Sequence, residues 1–345
     1  MKLQKTGEWA WIYRPLAAGF LAGLAILLMP LLVARGEEPE PEPTSTLLPT
    51  ADIVLPMPEP SAVQTWDETK TVRILLESGE TEEMTMKEYL WRVVAAEMPA
   101  SFEREALRAQ AVCARTYTLW KMERGIHPQA DLCDDSTCCQ AYTTREEAAA
   151  RWEDLTEVYA QRIEAAVADT DGQLILYEGT PIQAVFFSSS VPSTEDAAAV
   201  WGSSLPYLVS VPSPEGEEVP NYRSTVILTA EELRALVEES GMGLTLSGKP
   251  SSWLGGVSYN ASGRVAEMSV GGVTISGGAA RTLFGLRSTC FEVIEKDGVF
   301  TFSVTGYGHG VGMSQYGANN MAKQGSSWQE IIEHYYTGVT VQKGI

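Results

Sequence analysis

The residue whose setting best suits acid–base chemistry is Glu97. It is the only acidic residue in the stretch VVAAEMPA, and it lies where a predicted helix ends, two residues before Pro99. A carboxyl group among apolar neighbours favours its neutral form, so its pKa rises toward the range where it donates a proton near neutral pH. The alternative is a surface glutamate at a fraying helix end, and the residues alone leave both interpretations open.

A second candidate is Arg115, which lies on the next predicted helix in AQAVCARTY, mostly among small residues. From there it could reach back to orient Glu97 or a bound ligand. The alternative is a solvated helix arginine. A permanently charged guanidinium beside Glu97 would lower the pKa of that carboxyl, so two opposite effects on Glu97 compete.

Three metal-ligand candidates follow in one polar loop, His127, Cys133 and Cys139. Imidazole nitrogen and thiolate sulfur bind Zn²⁺ at about 2.0 to 2.3 Å. Three protein ligands leave a fourth coordination position, to water or to Cys138. A disulfide from Cys133 to Cys138 or to Cys139 is the alternative in an oxidising compartment.

A glycine-rich segment near the C-terminus, GYGHGVGMSQYGA, surrounds His309 with glycines at 306, 308, 310 and 312. Glycine lets the backbone come close to a ligand, which suits the binding of a polymer. No Lys-Ser or Lys-Thr follows these glycines and the GxGxxG spacing is absent, so a phosphate-binding loop is not indicated. His309 would act as a base or ligand contact, or as a structural hydrogen-bonding residue.

The elements that must position these residues are of mixed type. Apolar residues recur at helical spacing over 85–98, and further helices are predicted over 102–124 and 145–167. Residues 257–302 show strand patterns separated by turns. Segregated helical and strand regions predict an α+β fold, in which helices and antiparallel sheet form two lobes around a binding groove.

The N-terminal region has a different composition. Basic residues precede an apolar run over 16–33, and a helix over this run would be roughly 27 Å long, about the thickness of a hydrocarbon core. We therefore predict a cytoplasmic tail over 1–14, a transmembrane anchor over 15–35 and a disordered, proline-rich acidic linker over 36–68. The folded extracytoplasmic domain would then cover 69–345. The alternative for the apolar run is a cleaved signal peptide.

The charge of the chain restricts its partners. The sequence has 45 acidic and 25 basic residues, for a net charge of −20. A field of this sign repels polyanions, so nucleic acid is excluded as a partner. The sequence leaves open whether the protein forms a homodimer.

Several of these motifs together resemble the stage II sporulation protein D family and its relatives, the amidase enhancers. The resemblance covers roughly residues 70–342 and rests on YLWRVVAAEMPASFEREALRAQAVCARTYTL, the loop ending CQAY, TEDAAAVWGSSLPYL, and GYGHGVGMSQYGANNMAKQG with HYYTGV. It implies a lytic transglycosylase, a lyase that cuts the bond from N-acetylmuramic acid to N-acetylglucosamine in peptidoglycan glycan strands already stripped of peptide, and leaves 1,6-anhydro ends. The alternatives are a non-catalytic, glycan-binding activator of a cell-wall amidase, and a zinc hydrolase that uses the cysteine loop.

The resemblance also implies roles for individual residues. Glu97 falls on the catalytic position and Arg115 on a position important for activity. The implied zinc ligands are His127, Cys133 and Cys139, and we expect the zinc to be structural. The implied substrate contacts are Ser188, Ser189, Ser190, Tyr207, His309, Gln315 and Tyr316. The chain departs from the family at Val191-Pro192, where a Gly-Gly turn is common, so the shape of its substrate-side loop should differ. It also departs at Val209, where lysine is common, so its glycan contacts there should differ or its activity should be weak.

The family context implies partners and a location as well. It suggests an engulfment complex in an endospore-forming bacterium, with a cell-wall amidase and a multi-span membrane recruiter as partners of this chain. The chain itself would be a single-pass protein of the cell membrane, at the septal or engulfing membrane.

Overall fold

The computed structural model describes residues 64–344, in which helices and several small sheets are mixed along the chain. The helices are α1 (Trp66–Thr69), α2 (Met86–Glu97), α3 (Arg104–Met122), α4 (Arg145–Trp152), α5 (Thr156–Asp169), α6 (Ala197–Trp201), α7 (Ala230–Glu239), α8 (Gly277–Leu283), α9 (Gln315–Lys323) and α10 (Trp328–Tyr335). The strands are β1 (Thr71–Leu75), β2 (Thr81–Thr85), β3 (Leu132–Cys133), β4 (Gln173–Tyr177), β5 (Thr180–Pro181), β6 (Phe186–Phe187), β7 (Arg223–Thr229), β8 (Leu254–Tyr259), β9 (Val265–Val270), β10 (Val273–Ser276), β11 (Phe291–Lys296), β12 (Val299–Thr305), β13 (Met313–Ser314) and β14 (Thr340–Lys343).

Helix α3 is the centre of the first hydrophobic cluster. It packs against α2, α5, α9 and α10, and its side chains are buried on every side. Small residues such as Ala106, Ala109 and Ala114 are fully buried on it, and small contact residues let neighbouring helices approach closely. A helix that is buried all round belongs to a protein interior, so α3 gives its neighbours a fixed support.

Helix α2 presents Glu97 at its C-terminal end. The side chain of Thr85 accepts a hydrogen bond from the Glu88 N–H and so caps the first turn. Met98 is extended, and Pro99 follows it, which ends the helix because the residue before a proline is disfavoured in helical conformation. The helix boundaries predicted for α2 and α3 are confirmed to within one or two residues.

Most strand pairs in the described residues are antiparallel. The sheet orders are β2-β1-β3, β10-β9-β8, β11-β12-β7, β14-β4-β5 and β13-β6. The pair β13-β6 is parallel and aligns Met313 with Phe186 and Ser314 with Phe187. This pairing joins the residues that follow the glycine-rich segment to the strand that precedes Ser188.

A second hydrophobic cluster is formed by α7, α8 and the sheets β10-β9-β8 and β11-β12-β7. Trp253 stacks on Phe300 with ring centroids 6.0 Å apart, and Phe284 packs on Phe302 at 4.9 Å. Aromatic rings bury large apolar areas, so a few of them suffice to support these thin sheets. The cluster fixes α8, whose last turn carries Arg281.

The predicted membrane anchor requires a correction. Among residues 64–344 no helix is both long and apolar enough to cross a bilayer. The longest of these helices, α3, has 19 residues but carries charged side chains such as Arg104, Glu105 and Arg108. The segments 1–14 and 15–35 and most of the predicted linker lie outside the described residues. The transmembrane helix in the predicted fold class, and the single-pass membrane localisation derived from it, are therefore not supported and are not retained.

Candidate functional site

Glu97 lies in a cleft of about 820 Å³. Its lining comes from the ends of α2 and α3, from the loop that follows α3, from the segments around β6, α6 and α8, and from the glycine-rich loop with the start of α9. These segments are far apart in the sequence and belong to both hydrophobic clusters. The cleft is therefore a product of tertiary packing, and it has the size of a typical ligand site.

The carboxyl group of Glu97 is half-buried and held in one orientation. Its Oε1 accepts a hydrogen bond of 2.7 Å from the Ala141 N–H. Burial raises the pKa of Glu97, whereas the Ala141 N–H and the Gln315 side chain act in the opposite direction by favouring the ionised form, and burial prevails. A carboxyl group with a raised pKa keeps its proton closer to neutral pH and can donate it to a bound substrate.

The loop that supplies the Ala141 N–H is anchored at its neighbouring residue. Gln140 is buried, and its Nε2 donates to the Tyr89 hydroxyl and to the Thr118 hydroxyl, both at 3.2 Å. Tyr89 lies on α2 and Thr118 on α3. The position of Ala141, and with it the orientation of Glu97, is thus tied to the two central helices.

The same loop carries a cluster of metal-ligating side chains. The ligand atoms of His127, Cys133, Cys138 and Cys139 all lie within 4.8 Å of one another. His127 Nε2 is 3.3 Å from the Cys139 sulfur and 3.7 Å from the Cys138 sulfur, and these two sulfurs are 3.9 Å apart. All five cysteines of the chain are free thiols, so neither disulfide considered from the sequence is formed.

This donor set fits a zinc ion. In a tetrahedral site with bonds of about 2.0 to 2.3 Å, neighbouring ligand atoms are roughly 3.5 to 3.8 Å apart, which matches the spacings around His127 Nε2. One imidazole and three thiolates form a usual closed zinc site. Of the two candidates for the fourth position, water and Cys138, the grouping of the ligand atoms favours Cys138. Cys139 connects the cluster through Gln140 to Ala141.

His309 also lines the cleft, but its ring nitrogens are already engaged. Its Nδ1 accepts a hydrogen bond of 3.1 Å from the Val311 N–H, and its Nε2 is 3.0 Å from the Phe186 carbonyl oxygen. The tautomer that satisfies both contacts is neutral with the proton on Nε2. Burial lowers the pKa of His309 to about 4. The side chain is thus a neutral structural element at neutral pH, and its ring supports Trp201 at a centroid distance of 5.6 Å.

Two glycines allow the backbone around His309 to pack against the β6 segment. Gly308 has a φ of 116°, and a Cβ there would lie 2.7 Å from the Phe187 Cβ. Gly312 has a φ of 77°, and a Cβ there would lie 2.1 Å from the Val185 carbonyl oxygen. Side chains at these positions would clash, so the glycines serve the close approach of two chain segments.

Arg115 lies away from the cleft. Its side chain is fully buried and forms a bidentate ion pair with Asp67, with Nε 2.7 Å from Oδ1 and Nη2 2.6 Å from Oδ2. The guanidinium also donates to the carbonyl oxygens of Gln173 and Val167. Asp67 lies on α1, before the predicted domain start at residue 69. The contacts of Arg115 therefore join α1, α3, α5 and β4, and none of them is with Glu97.

The predicted substrate contacts separate into two groups. Ser188, His309 and Gln315 line the cleft together with Glu97. The other four residues face elsewhere: Ser189 pairs with the Tyr307 backbone, the Ser190 N–H donates to Glu215, the Tyr207 hydroxyl accepts from the Gln183 N–H, and the Tyr316 ring packs on Phe102.

The structure also places in the cleft several residues that were not singled out from the sequence. Trp201 and Tyr307 line the cleft and are 42% and 43% exposed. Their exposed aromatic surface is available for contact with a ligand. Trp120, Lys121 and Arg281 line the cleft as well. Tyr307 lies inside the glycine-rich segment and could have been noticed for that reason, whereas nothing in the local sequence distinguishes Arg281.

Comparison with known proteins places the chain in a family. Residues 77–177 match the family model described as stage II sporulation protein. The chain is 39% identical over 266 residues to stage II sporulation protein D of Bacillus subtilis (strain 168), covering 76% of each chain. It is 38% identical to the protein of the same name from Bacillus amyloliquefaciens, over 76% of this chain and 75% of the relative. It is 28% identical to the amidase enhancer of Bacillus subtilis (strain 168), over 72% of this chain and 39% of that protein. The chain therefore belongs to the stage II sporulation protein D family.

Proposed function

We propose that this protein is a lytic transglycosylase that cleaves peptide-stripped glycan strands of peptidoglycan during sporulation, with Glu97 as its acid. The observation that carries this proposal is the position of Glu97, which is half-buried in a cleft and has a raised pKa. Membership of a sporulation family with a cell-wall-related relative supports the choice of substrate. A cleft with exposed aromatic rings suits a sugar polymer, since apolar faces of sugars stack on such rings.

The proposed mechanism uses one carboxyl group. Glu97 protonates the bridging oxygen while the bond from N-acetylmuramic acid to N-acetylglucosamine breaks, through a transition state that resembles an oxocarbenium ion. The resulting carboxylate then accepts the proton of the 6-hydroxyl of the same sugar, and that oxygen closes the 1,6-anhydro ring. The Ala141 N–H, 2.7 Å from Oε1, is positioned to stabilise the carboxylate between these steps.

The presence of one carboxyl group in the cleft fits this mechanism better than it fits hydrolysis. Glycoside hydrolases generally use two carboxyl groups, one of which activates water or attacks the sugar. Among the residues that line the cleft in the described part of the chain, Glu97 is the only one with a carboxyl group. An internal hydroxyl requires no activated water, and a well-held intramolecular group reaches effective molarities of about 10⁵ to 10⁸ M.

A structural zinc ion fits the same proposal. His127, Cys133, Cys138 and Cys139 would hold it, and the ion would supply a cross-link within the loop. Cys139 is two residues before Ala141, so a fixed loop keeps the Ala141 N–H directed at Glu97. In this proposal the side chains of the cleft, and not the zinc ion, act on the substrate.

The substitution Glu97→Gln tests the proposal. Glutamine keeps the size of the side chain and an oxygen that accepts from the Ala141 N–H, but its amide has no acidic proton to transfer to the leaving oxygen. We expect cleavage to fall by at least ~10²- to 10⁴-fold, with the fold retained. The assay is mass spectrometry of peptide-free glycan after incubation, which detects 1,6-anhydro ends as products lighter by one water than hydrolysis products. Glu239→Gln is the matched control, since Glu239 is exposed and is the last residue of α7. Retained cleavage by the Glu97 variant would defeat the proposal.

A second function is favoured by one specific relative, the amidase enhancer. In this case the chain would bind peptide-free glycan and activate a cell-wall amidase without cutting the strand itself. Binding without new anhydro ends, together with faster peptide release by the amidase, would support this alternative. In either case we propose glycan strands and a cell-wall amidase as partners, and a multi-span membrane protein as the recruiter of the complex.

A further inference from the structure

The cleft has more basic than acidic side chains, whereas the chain as a whole is acidic. The chain has 45 acidic and 25 basic residues, yet the cleft is lined by two basic residues, Lys121 and Arg281, and one acidic residue, Glu97. Glu97 contributes no charge in the protonated form that the proposed mechanism requires. A cationic cleft in an acidic protein focuses the local field on anionic ligands.

The side chains of Lys121 and Arg281 differ in their hydrogen bonds. Lys121 is buried and donates from Nζ to the Cys138 carbonyl oxygen at 2.8 Å, so it holds the cysteine loop. Arg281 donates from Nε to the Leu286 carbonyl oxygen at 3.3 Å. Within residues 64–344 the guanidinium of Arg281 forms no ion pair, and its two terminal nitrogens make no hydrogen bond. The two terminal nitrogens of Arg281, Nη1 and Nη2, are therefore available as hydrogen-bond donors for a ligand in the cleft.

The guanidinium group of Arg281 is held in position by the residues around it. Arg281 lies in the last turn of α8, a helix that the second hydrophobic cluster fixes through Ala280 and Leu283. Beside it in the cleft lies the ring of Tyr307, and the guanidinium of Arg287 covers that ring at 4.0 Å. Arg287 also has a buried Nε without a hydrogen-bond partner. Arg281 and, behind the Tyr307 ring, Arg287 thus place two guanidinium groups near the side of the cleft formed by α8 and the glycine-rich loop.

The substrate of the proposed function offers one matching anion. N-acetylmuramic acid carries a lactyl ether whose carboxyl group forms an amide with the stem peptide. Removal of the peptide by an amidase hydrolyses that amide and leaves a free lactyl carboxylate on the sugar. Arginine binds carboxylates through two parallel hydrogen bonds, a geometry that a neutral amide cannot reproduce.

We propose that Arg281 binds the free lactyl carboxylate of peptide-stripped N-acetylmuramic acid and thereby selects strands from which the stem peptide has been removed. The inference rests on the proposed function in that it takes glycan as the ligand. It goes beyond that function because it assigns the specificity for stripped strands to one residue. It also explains why an acidic protein keeps an unpaired arginine in its cleft.

The test measures binding without turnover, in the Glu97→Gln background. One ligand is a peptide-free glycan oligosaccharide with free lactyl carboxylates. The second is the same oligosaccharide with its lactyl groups converted to methylamides, and the third is a peptide-linked oligosaccharide, which has carboxylates only on the peptide. Calorimetry gives the dissociation constants. We expect the free acid to bind roughly 10- to 100-fold more tightly than the other two, the range for a hydrogen-bonded charged pair.

Substitutions then locate the source of this preference. Arg281→Gln should weaken binding of the free acid to the level of the methylamide and leave methylamide binding unchanged, which a general loss of structure would not do. Arg281→Lys should restore part of the preference. Arg234→Gln is the matched control and should keep the full preference, since Arg234 also bonds a backbone carbonyl and stacks on Trp253, but outside the cleft. Equal binding of the three ligands, or a preference that survives Arg281→Gln, would overturn the inference.

This design separates the inference from the proposed function. If the protein prefers the free acid but forms no anhydro ends, the inference about specificity holds and the proposed transglycosylase activity fails. If it forms anhydro ends but binds the acid and the methylamide equally, the proposed activity holds and the inference fails.

Discussion

Arg115→Met tests whether Arg115 stabilises the fold or acts on the substrate. Methionine fills much of the volume but leaves the Asp67 carboxylate, which is 2% exposed, without its partner. Removal of one partner from a buried ion pair costs about 3–5 kcal/mol, because a desolvated charge remains. For a domain of this size about 1 kcal/mol corresponds to roughly 2 °C, so we expect the melting temperature to fall by about 6–10 °C. The stability of a typical domain is about 5–15 kcal/mol, and a folded population should therefore remain at 25 °C.

The assay combines urea denaturation at pH 7 with the cleavage rate per folded molecule. We expect the free energy of unfolding to fall and the rate per folded molecule to stay within a few-fold of the wild type. Arg104→Met on the same helix is the control, since Arg104 pairs with Asp169 at the surface and should contribute about 1 kcal/mol or less. The double variant Asp67→Asn, Arg115→Met should lose less stability than the sum of the single losses. Unchanged stability together with lost cleavage would refute the structural role of Arg115.

The remaining predictions concern pH and metal. The cleavage rate should decrease as pH rises through the raised pKa of Glu97, because the protonated form is required. A pH–rate profile in which this decrease is centred at the ordinary carboxyl pKa of 4.5 would contradict the assignment. Since folding raises this pKa, the folded state binds the proton more tightly, so the stability contribution of Glu97 is lost as pH rises from about 4.5 through the raised value. Glu97→Gln should therefore become more stable relative to the wild type over the same window, which denaturation curves at several pH values would reveal. Zinc at about 100 times its dissociation constant should raise the free energy of unfolding by about 2.7 kcal/mol. Chelation or Cys139→Ser should therefore lower the melting temperature by roughly 5 °C. An unchanged melting temperature after chelation would count against a structural metal.

Local patterns in the sequence were sufficient for several elements. Apolar spacing and Pro99 predicted where α2 ends, and so placed Glu97 at a helix terminus. Thr229 with Glu232 and Ser327 with Glu330 form capping boxes, which depend only on residues three positions apart in the sequence. The helix expected over 145–167 is instead divided into α4 and α5 at Glu153, where φ is 49°. No local sequence pattern predicted this backbone conformation.

The sequence by itself determined the helices around Glu97, the order of the motifs and the residue types available for a metal cluster, because these depend on neighbours along the chain. Only the tertiary structure decided which side chains meet. Arg115 pairs with Asp67, 48 positions away, and His309 has lost its basic character through burial and two contacts of its ring nitrogens. The Ala141 N–H reaches Glu97 from 44 positions away. Burial and long-range pairing set pKa values and the availability of charges, and both arise when distant segments pack together, so the roles of Arg115, His309 and Arg281 became visible only in the folded chain.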